Sequence, residues 1–218
     1  LCAMQPTVDH AYLASRSIGK NILTNPRFTG RVYMDTHGAA IFAHEDDQGT
    51  CGYEIKNYGF TGFPPGGSKG LWRSNLEPTD KQLVLCESAI DALSYHALHP
   101  DLDARYMSFG GGWSDKTRAL IRDAAETHPG PRIILAYDND DAGHRFEADT
   151  RNLLADLSAK TIVTDYPTIG KDWNDQLKGI GPPVPKPASR LVTAGTTITS
   201  QRTGSMKLKN SQEKLLEK

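Results

Sequence analysis

Cysteine is scarce: Cys2, Cys51 and Cys86 are the only three in 218 residues, they lie far apart, and none belongs to a CxxC pair. That argues against a disulfide framework and a structural zinc site, and it fits a reducing cytoplasm. Long apolar runs are missing as well. No stretch approaches the roughly 20 residues needed to cross a bilayer. The start, Leu1-Cys2-Ala3-Met4-Gln5-Pro6, has neither the basic opening nor the apolar core of a signal peptide, so no membrane partner is expected. There is no Walker lysine loop and no dinucleotide fingerprint, which disfavours an unrelated nucleotide-binding α/β fold. Neither sign of charge dominates, with 25 Lys+Arg against 26 Asp+Glu. The chain opens on Leu rather than Met and is expected to be a piece of a longer protein.

What is present is an ordinary globular composition, 38% hydrophobic and 23% charged, with charge unevenly spread. Residues 81–178 carry a net −5, and residues 179–218 carry a net +5. The first excess is what a cation site needs. The second fits a solubilising tail, with phosphate contact as the alternative.

Residues 7–30 read as short helical turns. Residues 31–73 read as short strands (Arg31–Met34, Ala40–Ala43, Gly52–Ile55) with a hairpin signal at Asp47–Gly49, ending in the Gly/Pro-rich loop Gly62–Gly70. From residue 82 strands alternate with helices. Gln82–Cys86 leads into a helix over Glu87–Leu98, and Ala104–Ser108 leads through Gly110-Gly111-Gly112 to a helix capped by Ser114. Arg132–Tyr137 precedes a helix carrying Phe146 to Leu157, and Thr161–Thr164 closes the series. The pattern implies an α/β fold, a mainly parallel sheet with helices on both faces, preceded by a small α+β module. The expected division is 1–78 for the module, 79–178 for the α/β domain and 179–218 for a basic, Pro/Ser/Thr-rich linker or disordered tail. His96, His99 and His128 fall at helix ends and read as exposed caps.

Ligands of parallel α/β sheets gather beyond the carboxyl ends of the strands. Three acidic groups fall there: Glu87 after the first strand, Asp138-Asn139-Asp140-Asp141 after the third, and Lys171-Asp172-Trp173-Asn174-Asp175 after the fourth. Carboxylates converging on one rim repel, and a hard divalent cation relieves the repulsion. Oxygen-only ligands select Mg²⁺ or Mn²⁺ over zinc.

Three segments resemble the Toprim family, shared by bacterial primases, topoisomerases and some nucleases. They are Cys86-Glu87-Ser88-Ala89-Ile90-Asp91-Ala92, Asp138-Asn139-Asp140-Asp141-Ala142-Gly143, and Lys171-Asp172-Trp173-Asn174-Asp175, where Trp replaces the family's Pro and the acids are shifted. The likeness covers roughly residues 82–178. The preceding segment is similar, more loosely, to an uncharacterised module that precedes Toprim in plasmid-mobilisation, relaxase-associated and primase-like proteins. The resemblance implies a Toprim (Rossmann-like) fold with Glu87, Asp138 and Asp140 as catalytic residues. Mg²⁺ or Mn²⁺ would be held by Asp138 and Asp140, with Glu87 and Asp172 as further ligands. Gly110, Gly111, Gly112, Lys171, His144 and Arg145 would contact substrate or phosphate. The implied reaction is primase-like nucleotidyl transfer on DNA, with nucleotides, an RNA primer and other domains of a replication or mobilisation protein as partners. A Toprim nuclease and a non-catalytic DNA-binding module of a relaxase are the alternatives.

Overall fold

The computed structural model describes residues 4–183. The tail expected from 179 lies outside the described residues beyond 183. Two sheets organise the chain. The first is antiparallel, in the order β1 (Gln5–Pro6), β2 (Tyr33–Met34), β3 (Ala40–Asp46), β4 (Gly49–Asn57) and β5 (Phe60–Gly62). The expected hairpin joins β3 to β4, with a register shift between His44 and Glu45. Two short helices, α1 (Ala11–Ser15) and α2 (Lys20–Leu23), occur in the same part of the chain.

The second sheet contains β6 (Trp72–Arg73), β7 (Gln82–Cys86), β8 (Ala104–Ser108), β9 (Arg132–Leu135) and β10 (Thr161–Thr164). Their spatial order is β10-β9-β7-β8-β6. The four long strands are parallel, and β6 closes one edge antiparallel to β8. Between successive parallel strands run α3 (Ala89–Leu98), α4 (Asp115–Thr127) and α5 (Asp141–Leu153), and α6 (Trp173–Lys178) follows β10. None of the described helices is long and apolar enough to cross a membrane.

Period-two alternation sends neighbouring side chains of β7 to opposite faces, and both faces are buried. Val84 and Cys86 join a core containing Ala89, Ile90, Leu93 and Trp173 from α3 and α6, with Leu13, Ile22, Phe28 and Phe42 from the N-terminal segment. Leu83 and Leu85 join a second core with Ile121, Ala124 and Ala125 of α4, together with Tyr137 and Leu154. The N-terminal segment therefore packs on one face of the parallel sheet and also supplies its edge strand.

Helix starts follow cap chemistry. Ser114 forms a capping box with Thr117, and Asp140 and Asp172 cap α5 and α6. The first crossover helix begins at Ala89, two residues later than expected, because Ser88 is its N-cap. The histidine expectation is corrected. His99 and His128 do end helices, but His96 and His128 are only 6% and 5% exposed. His96 packs edge-on against Phe28, and its Nδ1 lies 3.3 Å from the Tyr106 hydroxyl. The partly buried His99 stacks on Tyr95.

Candidate functional site

At the carboxyl ends of β7 and β9 lies a cavity of about 350 Å³ into which Glu87, Asp91, Asp138 and Asp172 project. Each is placed by a different local rule. Glu87 is the first residue past β7, and its Oε1 accepts a hydrogen bond from the Asp138 amide at 3.1 Å. This ties the exits of the two strands together. Asp138 follows β9 and carries a buried Oδ1 with no hydrogen-bond partner. Asp91 stands in the first turn of α3, 7% exposed, and accepts from the Ser88 hydroxyl at 2.5 Å. Asp172 caps α6 through a 2.7 Å bond from the Asp175 amide.

Burial and mutual repulsion dominate the electrostatics. Burial, reinforced by Asp140 and Asp91, pushes the Glu87 carboxyl up to about 7. Burial likewise pushes Asp138 well above the usual carboxylate range, with Asp91, Glu87 and Asp172 adding to the effect. Asp91 rises for the same reason, with Asp172 its principal charged neighbour. Burial would lower Lys171, but the surrounding Asp138, Asp140 and Asp172 hold its ammonium above the ordinary lysine value. These are the shifts of a site that holds more negative charge than its own cations neutralise.

The remaining expected residues are distributed around this centre. Asp140 does not line the cavity. Its Oδ1 accepts from the amides of Ala142 and Gly143, and its Oδ2 lies 3.7 Å from Lys171 Nζ. His144 Nε2 lies 3.1 Å from Asn139 Oδ1, and Arg145 is exposed on α5. Gly110 and Gly111 line the cavity, both with left-handed φ, 61° and 64°, a conformation that glycine adopts without steric cost. The Gly111 amide donates to the Glu87 carbonyl and the Gly112 amide to Phe109, so these two amides are already engaged.

Asp91, and the opposite wall made by the N-terminal segment, were not foreseen as site residues. Tyr12, Arg16, Glu54, Lys56 and Thr61 line that wall. Glu54 is buried and pairs with Lys56 at 2.8 Å. Only Asp91 carried a signal, its place one helical turn after Glu87.

The substitution of Trp for the family's Pro has a structural account. Trp173 is 1% exposed, and its indole N–H donates to the Ala136 carbonyl at 3.0 Å, just upstream of Asp138. Asn174 ties α6 to the Arg16 carbonyl and the Ser94 hydroxyl.

As the side chains stand, no three acids, histidines or cysteines among the described residues gather closely enough to hold an ion. The donor set nonetheless fits a hard divalent cation. It is all oxygen, and the orphaned Asp138 Oδ1 is a buried acceptor with nothing to satisfy it.

Residues 84–177 match the family described as Toprim-like, and residues 11–78 match one described as a protein of unknown function (DUF3991). The chain carries a Toprim-like domain. Solved structures agree on the fold. The primase fragment of the bacteriophage T7 primase-helicase protein aligns at TM-score 0.57 and 20% identity, covering 82% of this chain and 71% of that chain. A structure of the T7 lagging-strand DNA polymerase interacting with primase domains gives 0.56 and 16%, covering 82% and 88%. The DnaG catalytic core gives 0.50 and 16%, covering 78% and 67%. No curated protein matches the chain. In this Toprim-like domain, Gly143 explains itself: a Cβ there would stand 2.0 Å from the Asp138 carbonyl oxygen.

Proposed function

We propose that this chain is a Mg²⁺- or Mn²⁺-dependent nucleotidyltransferase unit, primase-like, acting on nucleic-acid phosphodiesters in plasmid or mobile-element replication or mobilisation. The observation that carries the reading is the orphaned, buried Asp138 carboxylate, hemmed in by Glu87, Asp91 and Asp172. The primase fragments among its structural relatives support the choice of reaction. The module over 1–78, the Toprim domain over 79–178 and the tail beyond remain our division of the chain.

In this reading Asp138, Asp140 and Asp172 hold the cation with Glu87, and Asp91 supports them. When bound, the metal supplies charge neutralisation for the phosphoryl oxygens in transfer. The chain's own groups do the rest. Where Glu87 stays free of the cation, its carboxyl, which burial raises to about 7 in the metal-free chain, is suited to take a proton from the attacking hydroxyl and release it to solvent, since a base poised near the working pH transfers protons most effectively. Lys171 offsets phosphate charge at the rim. The tight turn at Gly110 and Gly111 leaves open space at Gly111, where a phosphate could approach the backbone.

The test compares the full chain with Glu87→Gln, using a single-stranded template, nucleoside triphosphates and Mg²⁺ or Mn²⁺. Primer synthesis should fall at least about 100-fold in the variant while strand binding persists. Strand cleavage in place of synthesis would move the assignment to a Toprim nuclease. Binding without any turnover would reduce the domain to a DNA-gripping module.

A further inference from the structure

The β4–β5 hairpin pairs Lys56 with Thr61 and Asn57 with Phe60, leaving Tyr58 and Gly59 as a two-residue tip. Tyr58 and Phe60 are 64% and 55% exposed, the two exposed aromatic side chains among the described residues. Tyr58 is nonetheless held in place: its hydroxyl donates to the Ala11 carbonyl at 3.2 Å, and its ring meets Tyr12 edge-on at 5.3 Å. The Phe60 ring lies over the Cα of Gly62, where a Cβ would approach it to 2.7 Å.

Beside these rings runs a cavity of about 570 Å³, lined also by Arg16 and Lys178 and by no carboxylate. Neither cation makes an ion pair among the described residues, and the buried Arg16 Nε has no hydrogen-bond partner. Tyr12, Arg16 and Thr61 line both this cavity and the acidic one, so the two adjoin.

We propose that this groove is the track for an unpaired nucleic-acid strand entering or leaving the acidic centre, with Tyr58 and Phe60 stacking its bases and Arg16 and Lys178 meeting its phosphates. The inference rests on the proposed function and names where its polymer lies. Free ring faces beside unpaired cations match an unstacked strand, whose bases expose their own faces. A duplex keeps those faces stacked inside.

The experiment is fluorescence anisotropy of labelled oligo-dT with the full chain, in EDTA and without nucleotides. The basic C-terminal segment is then present in every variant, and metal-dependent chemistry plays no part. Tyr58→Ala/Phe60→Ala should weaken binding at least about tenfold while circular dichroism stays unchanged. Arg16→Gln/Lys178→Gln should lower the slope of log K against log salt by about 1.4, about 0.7 per lost phosphate contact. A hairpin variant that is folded and binds oligo-dT as the parent does overturns the proposal. So does duplex DNA of the same length bound as tightly and weakened equally. Absence of turnover by the parent chain in the Glu87 assay, with this binding intact, would count against the chemistry alone.

Discussion

At the scale of single residues, the site is a place where charge is kept against its own preference. Folded Glu87 titrates near 7, whereas an unperturbed carboxyl titrates near 4.5. Between those values folded Glu87 holds a proton that the unfolded chain has released, so its contribution to stability falls as pH rises from about 4.5 to about 7 and is level above, while Asp91 and Asp138, raised for the same reason, add slopes of the same sign. Glu87→Gln should therefore stabilise the metal-free protein at pH 8 by about 2 kcal/mol after discounting for partial exposure, and flatten that slope. Urea denaturation at pH 5 and pH 8 measures it, and an unchanged slope would refute the assignment. Gly143 makes a steric prediction. With a Cβ position 2.0 Å from the Asp138 carbonyl, Gly143→Ala should cost about 1–3 kcal/mol and displace Asp138. Turnover should then drop more than the loss of folded protein explains, compared by activity per folded molecule. Among the candidate site residues, Glu87, Asp138 and Asp172 were legible because they follow the strands β7, β9 and β10, by one, three and eight residues. Asp91 was less so, since its carboxylate reaches the cavity from a helix.

At the scale of elements, legibility followed length and burial. The strands β7, β8 and β10 have the bounds read from the sequence, because short apolar runs between turns have few other readings. The six-residue α6 went unread: it is too short to show helical periodicity, and four of its residues are polar. Yet it positions the site, since Trp173 reaches from it to the Ala136 carbonyl. Trp173→Phe keeps most of the ring but strands that buried carbonyl, which should cost about 1–3 kcal/mol. Turnover should fall further than this destabilisation explains, because the freed backbone leads into Asp138. Leu154→Ala, in the opposite core, serves as the comparison. It should lose as much stability or more while the remaining folded molecules keep their rate, and equal rate losses in both variants would remove α6 from the site.

At the scale of the whole molecule, the two matched regions meet in one core. Phe28 packs against Trp72, His96 and Tyr106. Arg27 forms a buried ion pair with Asp80, and β6 completes the parallel sheet from before residue 79. None of these pairings has a local signature, since their partners lie dozens of residues apart, and so the opposite wall of the acidic cavity was invisible in the linear pattern. A chain beginning at residue 79 would lose the edge strand and uncover Tyr106, His96 and the outer side of β8. Partner-free apolar surface of that kind offsets much of a domain's marginal stability. The truncated chain should therefore lack a sharp urea transition and bind a dye for exposed apolar surface, whereas residues 1–183 should unfold cooperatively. A truncated chain that unfolds in a single steep transition with parental near-ultraviolet dichroism would mean that the Toprim-like half stands alone and the shared core is incidental.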